Sequence, residues 1–451
     1  MNILNRQDPG NSDARRKRFR TALCSIFLGC LALVAASLGA KLAAAEKGDA
    51  VTQWTLTADF YGRHSANWRT LAIMHMAMHD ALNAVQPVYA RWSPATPDEP
   101  PASGANPQVA MAAAAHEVLL LLHPDRRTET DAQFANVLSH VPNGPGKQAG
   151  IKLGAAIGAA AVQHRADDGW SLAHDFVGTD APGRWRPTPT AFATSPTNDA
   201  RPFLFASVAA VATVPPPDID RPLFKQQMDE TQRVGGLDSN ARTQDQTLSA
   251  EFWASQSSQR GFVYLAVELY SAHPHRLAEE ARVMSQLTVA LADSAILIWG
   301  EKQKFNFWRP ITAIRATEKD AASWLPLVET PPFPEYPSGH ASDCYTGAGV
   351  LSVAFPGLRG PITYTASTSI PPLHREPVPG QPPDGFGMGQ HAQAVGAFLT
   401  ERRFPNLAAS ATDCALSRIW AGAHFRAADD EAKRIADLIV QRAVASVPPE
   451  K

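Results

Sequence analysis

Cysteine is scarce in this chain, with four in 451 residues, and two of them, Cys24 and Cys30, lie in the first 45. Only Cys344 and Cys414 remain downstream, which leaves room for one disulfide and no network of them. No His-Glu-x-x-His stretch occurs, so that zinc motif is excluded, and no Glu-x-x-His occurs, which argues against a di-iron bundle. Basic residues are not in excess: 41 Lys and Arg face 43 Asp and Glu. Without residues 1–45 the balance is 34 to 41, a net charge of −7. An acidic surface argues against nucleic acid or an anionic membrane as a bulk partner. Internal repeats and sustained strand alternation are missing. Beyond the N-terminal segment the best apolar run, residues 287–299, is short for a membrane span and contains Asp293.

The N-terminal segment has the order of an export signal. Arg15, Arg16, Lys17, Arg18 and Arg20 form a basic region, residues 21–40 are apolar apart from Ser25 and Ser37, and Ala43, Ala44 and Ala45 offer a small-residue cleavage site. Residues 1–45 therefore read as a signal peptide, and the protein as exported, periplasmic or secreted. Cys344 and Cys414 would then meet an oxidising compartment, where a disulfide is permitted.

Helical periodicity dominates the rest. It predicts helices over residues 67–85, 108–122, 128–138, 147–165, 221–234, 244–270 and, most clearly, 275–299. Residues 54–61 read as a short extended or turn segment. Residues 91–107, 170–220 and 355–389 are Pro-rich and irregular. The expectation is an all-α fold with long Pro-rich loops and little or no β, divided into an N-terminal helical region, 46–220, and a C-terminal helical bundle, 221–451. His75 and His79 share a helix face but lack further ligands, so they read as packed histidines.

Three stretches carry chemistry. The first is Lys302 followed seven residues later by Arg309-Pro310. On one unbroken helix that spacing is about 700° of rotation, so both side chains would share a face, with the helix ending near Pro310. The second is Pro337-Ser338-Gly339-His340 at an apparent helix start. Unpaired N–H groups there can hold an anion, Gly339 allows close approach, Ser338 can cap or donate, and His340 can exchange a proton. The third is Ser417-Arg418 with His424 six residues after the arginine. Six residues leave about 240° after one full turn, so the helix must end or bend near Gly422 for both to reach one anion.

In this order the three motifs resemble those of the vanadium-dependent haloperoxidases, whose relatives are the type-2 phosphatidic acid phosphatases and the bacterial acid phosphatases. The resemblance covers roughly residues 270–435 and implies paired helical bundles around a vanadate site that phosphate can also occupy. It implies that His424 ligates vanadium through a ring nitrogen and that His340 is the acid–base partner. Lys302, Arg309, Ser338, Gly339 and Arg418 would surround the oxygens, with Lys302 also polarising peroxide. Trp299 and Phe333 match positions that line the halide side of chloride-oxidising members. Many members carry an acid four residues after the last histidine. Here that position is Ala428, followed by Asp429 and Asp430, and the orienting acid stays unassigned.

The implied activity is oxidation of halide by hydrogen peroxide to hypohalous acid, with a small organic acceptor compatible, and with neither nucleic acid nor a membrane span involved after signal cleavage. The alternative is a soluble periplasmic acid phosphatase acting through a phosphohistidine at His424. A binding protein that keeps an anion pocket without turnover is a third reading, against which the full set of anion-contacting residues argues. Cys344 lies one helical turn after His340 and Cys414 one turn before Arg418, so convergence of the two faces on one anion would bring the sulfurs within bonding distance.

Overall fold

In the computed structural model, the residues described are 50–61, 68–170, 174–187, 194–195, 200–255, 257–273, 275–318, 321–365 and 401–450. The proposed signal peptide lies outside them. They form thirteen α-helices and two short antiparallel strand pairs.

The first helix, α1 (Ala50–Tyr61), overturns the extended reading of residues 54–61. Val51, Trp54, Thr55 and Ala58 are buried at helical spacing, a stripe visible only when residues 50–53 are read with those that follow. Helix α2 (Trp68–Val85) and α3 (Pro107–Leu122) fall where periodicity predicts them. Pro107 takes the first position of α3, and the Asn106 side chain accepts from the Val109 N–H at 3.0 Å. Helices α4 (Arg127–Ser139) and α5 (Pro145–His164) follow. Helix α5 packs against α3 through Gly150, Gly154 and Gly158; a Cβ on Gly154 would stand 2.0 Å from the Ala110 carbonyl oxygen.

The Pro-rich stretch after α5 is irregular where described, apart from the two-residue strands β1 (His174–Asp175) and β2 (Thr194–Ser195) and one 3-10 turn, Val208–Ala210. Helix α6 (Pro222–Gly235) comes next. The single helix expected over 244–270 is two, α7 (Gln244–Ala254) and α8 (Ser258–Ala272), because Ser257 starts a new helix by accepting from the Arg260 N–H. Helix α9 (Leu277–Phe305) is long and apolar enough to cross a membrane by composition, but its apolar stretch is almost wholly buried inside the fold. Its Asp293 accepts the Phe203 and Leu204 backbone N–H groups at 2.6 and 2.8 Å, which satisfies a carboxylate in the core.

After α10 (Pro310–Thr317), helices α11 (Gly339–Ala354), α12 (Leu407–Trp420) and α13 (Arg426–Ala445) pack on one another, and α11 and α13 also pack on α9. Strands β3 (Ile362–Thr365) and β4 (Glu401–Phe404) pair beside them. Cys344 of α11 and Cys414 of α12 form a disulfide with Cα atoms 6.4 Å apart. One apolar cluster runs from Val51 to Ala443 and includes residues on both sides of residue 220.

Candidate active site

Lys302 stands in the last turn of α9. The helix stops three residues later, where Asn306 adopts a left-handed conformation at φ 46°. Arg309 is extended and caps α10 ahead of Pro310. The shared helical face expected for Lys302 and Arg309 therefore does not exist. A break at Asn306, earlier than Pro310 predicts, turns the chain, and buried Phe307 and Trp308 carry it under the core.

The Lys302 ammonium is buried and donates to the carbonyl oxygens of Pro334, Glu335 and Pro337 at 2.9, 2.8 and 2.5 Å. An ammonium has three protons, and this turn takes all three. The turn contains a cis Tyr336–Pro337 bond and leads directly into α11. Ser338 caps that helix by accepting from the Ala341 N–H. His340 lies half-buried in the first turn. A Cβ built on Gly339 meets no atom of the described residues within 4 Å.

Helix α12 delivers the third motif. It ends at Trp420, and Gly422 reverses the chain at φ +73°, as the Arg418–His424 spacing requires. A Cβ on Gly422 would also meet the Gly235 carbonyl oxygen at 2.5 Å, so glycine is needed there for space as well as conformation. Arg309 joins these segments. Its Nε donates to the Phe333 carbonyl at 2.8 Å, and its Nη1 donates to the Ala423 carbonyl at 2.9 Å and to His424 Nε2 at 3.1 Å. Among the described residues its Nη2 has no acceptor, and neither do Nε, Nη1 and Nη2 of the fully buried Arg418. Four buried guanidinium nitrogens without acceptors suit an oxyanion with several oxygens.

The electrostatics agree. Burial is the first cause that lowers Arg309 to about 9 and Arg418 to about 10. Burial, then Arg309, Lys302 and Arg418, holds His424 well below the usual imidazole range, so its ring is neutral. His340 adds to the same field. Two carboxylates oppose the cations. Burial pushes Glu335 up to about 7, against the pull of Arg309 and Lys302. Burial also raises Asp429 well above the carboxylate range, against the Ser338 hydroxyl and Arg418. Glu335 is the residue that sequence reasoning missed: its Oε1 lies 2.9 Å from His424 Nδ1 and 3.0 Å from the Phe425 backbone nitrogen. Glu335 stands inside the stretch Phe333-Pro334-Glu335-Tyr336-Pro337, next to the second motif, but no local spacing links it to His424, 89 residues away.

Trp299 and Phe333 meet with ring centroids 4.7 Å apart, and the Phe333 ring lies 4.9 Å from the Arg309 guanidinium and 5.4 Å from the Lys302 ammonium. His75 and His79 are elsewhere, buried in α2 against Thr55 and against the Ala90 carbonyl, in a packing role.

Residues 282–448 match the family model of the VCPO second helical-bundle domain. A vanadium chloroperoxidase of Curvularia inaequalis is 38% identical over 78 residues, which is 14% of this chain and 13% of that protein's length. Among solved structures, the first bacterial vanadium-dependent iodoperoxidase superposes with a TM-score of 0.68 at 22% identity, covering 90% of this chain and 97% of that one. A holo-type bacterial vanadium-dependent chloroperoxidase superposes with a TM-score of 0.62 at 18% identity, covering 84% and 90%. At these identities the structural likeness is one of fold.

Proposed function

We propose, for a chain whose residues 282–448 match the VCPO second helical-bundle domain and whose fold resembles that of bacterial vanadium-dependent haloperoxidases, that it oxidises halide with hydrogen peroxide to hypohalous acid. The observation that carries this reading is the buried anion cradle: four guanidinium nitrogens of Arg309 and Arg418 without acceptors among the described residues, beside a neutral His424. Vanadate fits these donors. Arg309, Arg418 and the Gly339 end of α11 would hold its oxygens, with His424 as the nitrogen ligand. When bound, it supplies a Lewis-acidic centre that makes peroxide electrophilic toward halide.

The remaining work falls to the protein. Arg418 and Arg309 hold negative charge in a buried site, where their attraction is stronger than at the surface. His340, at the mouth of α11, supplies and removes protons. The conversion H2O2 + X− + H+ → HOX + H2O consumes one proton per turnover, so a titrating group near neutrality is needed there. Trp299 and Phe333 offer an aromatic wall on which a weakly hydrated halide can rest. The proposal sets this activity outside the cytoplasm, on the strength of the basic and apolar pattern of residues 1–45.

A second reading has its own support. A neutral imidazole beside two arginines is also what attack on a phosphomonoester requires, with His424 as nucleophile. The two readings separate in one experiment. Halide oxidation is measured with vanadate and peroxide, and phosphomonoester hydrolysis is measured on vanadate-free protein. Halide oxidation that depends on added vanadate supports the first reading. Hydrolysis alone, abolished by vanadate, would replace it with the second.

A further inference from the structure

The contact between Glu335 and His424 determines which ring nitrogen can meet the anion. Two neighbours of the imidazole fix its tautomer independently. On one side, Arg309 Nη1 lies 3.1 Å from Nε2. A guanidinium only donates, so Nε2 must be the acceptor and the ring hydrogen must sit on Nδ1. On the other side, Glu335 Oε1 lies 2.9 Å from Nδ1. The same oxygen takes the Phe425 backbone N–H at 3.0 Å, which marks it as an acceptor. Both neighbours therefore require Nδ1–H, with the lone pair on Nε2 turned toward the arginines.

Glu335 is itself held firmly. It is fully buried, its N–H donates to the Phe307 carbonyl at 3.0 Å, and its carbonyl takes one of the three Lys302 protons. The other two Lys302 protons go to Pro334 and Pro337, on either side of it in the turn. The segment that delivers Ser338, Gly339 and His340 thus also delivers the carboxylate that orients His424.

We propose that Glu335 is the positioning residue of His424, fixing the ring in its Nδ1–H form with Nε2 presented to the oxyanion, and that Lys302 acts through the 334–337 turn to hold Glu335 there. This deepens the proposed function and rests on it only for the identity of the oxyanion. It also accounts for Ala428, since the acid that family members carry at that position is here replaced from a different segment. Asp429 does not take the role: among the described residues neither of its carboxyl oxygens makes a hydrogen bond, to His424 or to any other group.

The test uses the full chain labelled with 15N-histidine, with the His424 signals identified by their loss in His424→Ala. In the wild type, Nδ1 should show the shift of a protonated ring nitrogen and Nε2 that of an unprotonated one. Glu335→Gln keeps an oxygen acceptor and should keep this tautomer. Glu335→Ala should lose the preference and weaken binding of inorganic vanadate and phosphate, measured by calorimetry, by about 10–100-fold, the usual cost of removing a ligand's orienting partner. Thermal unfolding of both variants checks that they fold. A wild-type His424 protonated on Nε2 overturns the proposal even if no variant folds, and so does a folded Glu335→Ala with unchanged tautomer and affinity. Should the wild type bind neither anion, the haloperoxidase reading fails, while the nitrogen shifts still decide the role of Glu335.

Discussion

Arg418 is the residue at which charge and burial conflict most sharply. Its guanidinium is fully buried and finds no acceptor among the described residues, an arrangement that costs on the order of several kcal/mol unless an anion offsets it. Gly339 makes the complementary point from the side of space, because a methyl group there would meet no atom of the described residues within 4 Å. Gly339→Ala should therefore leave the melting temperature nearly unchanged while weakening vanadate and phosphate binding. A large loss of stability with affinity intact would show that the glycine serves the helix start instead. The two histidines should separate in the same assays. His424→Ala should abolish vanadate binding and turnover together. His340→Ala should still bind vanadate but turn over about 10²–10⁴-fold more slowly, as expected for loss of a general acid–base group. Affinity lost at His340 and kept at His424 would reverse the roles.

At the scale of elements, the site is assembled from ends and not from faces. Helix α9 ends near Lys302, α10 begins after Arg309, α11 begins at Gly339, and α12 ends just after Arg418. Helix ends carry unpaired backbone groups and can turn the chain sharply, so one small volume can receive side chains from four of them. The Cys344–Cys414 bridge ties two of these ends together across 70 residues of sequence. Closing a loop of that length restricts the unfolded chain, so replacing both cysteines with alanine should cost about 2–4 kcal/mol in chemical denaturation. Vanadate affinity should fall as well, because α11 and α12 would no longer be pinned beside each other. A double variant with wild-type stability would mean that packing of the two helices alone sets their spacing.

The whole molecule sets a cluster of three cations deep inside a chain that is acidic outside its first 45 residues. Surface charge therefore repels the anion that the interior attracts, and selectivity must come from the buried donors. The site draws on segments from residue 302 to residue 424, so global unfolding must destroy it. Anything that binds there should raise the melting temperature by linkage. Vanadate at about a hundredfold excess over its Kd should stabilise by about 2.7 kcal/mol, or roughly 3 °C for a chain of this size. Phosphate should act in the same direction, and scanning calorimetry reads both. Absence of any shift, with calorimetric binding also absent, would remove the anion site from the account.

Much of this was legible in the residues. Periodicity located most of the helices, because an apolar stripe must repeat every three to four residues to bury one face of a helix. The spacing of Arg418 and His424 demanded a helix end near Gly422, since no unbroken helix could point both at one anion. Other features depended on contacts between distant segments. The break at Asn306 placed Lys302 and Arg309 by a turn where a shared helical face was expected, and the three carbonyls that capture Lys302 lie more than thirty residues further along the chain. Glu335 meets His424 across 89 residues. Sequence spacing specifies which side chains a single helix can bring together. Which carboxylate faces which imidazole is decided only when separate segments pack, because burial then leaves each polar atom few partners within reach.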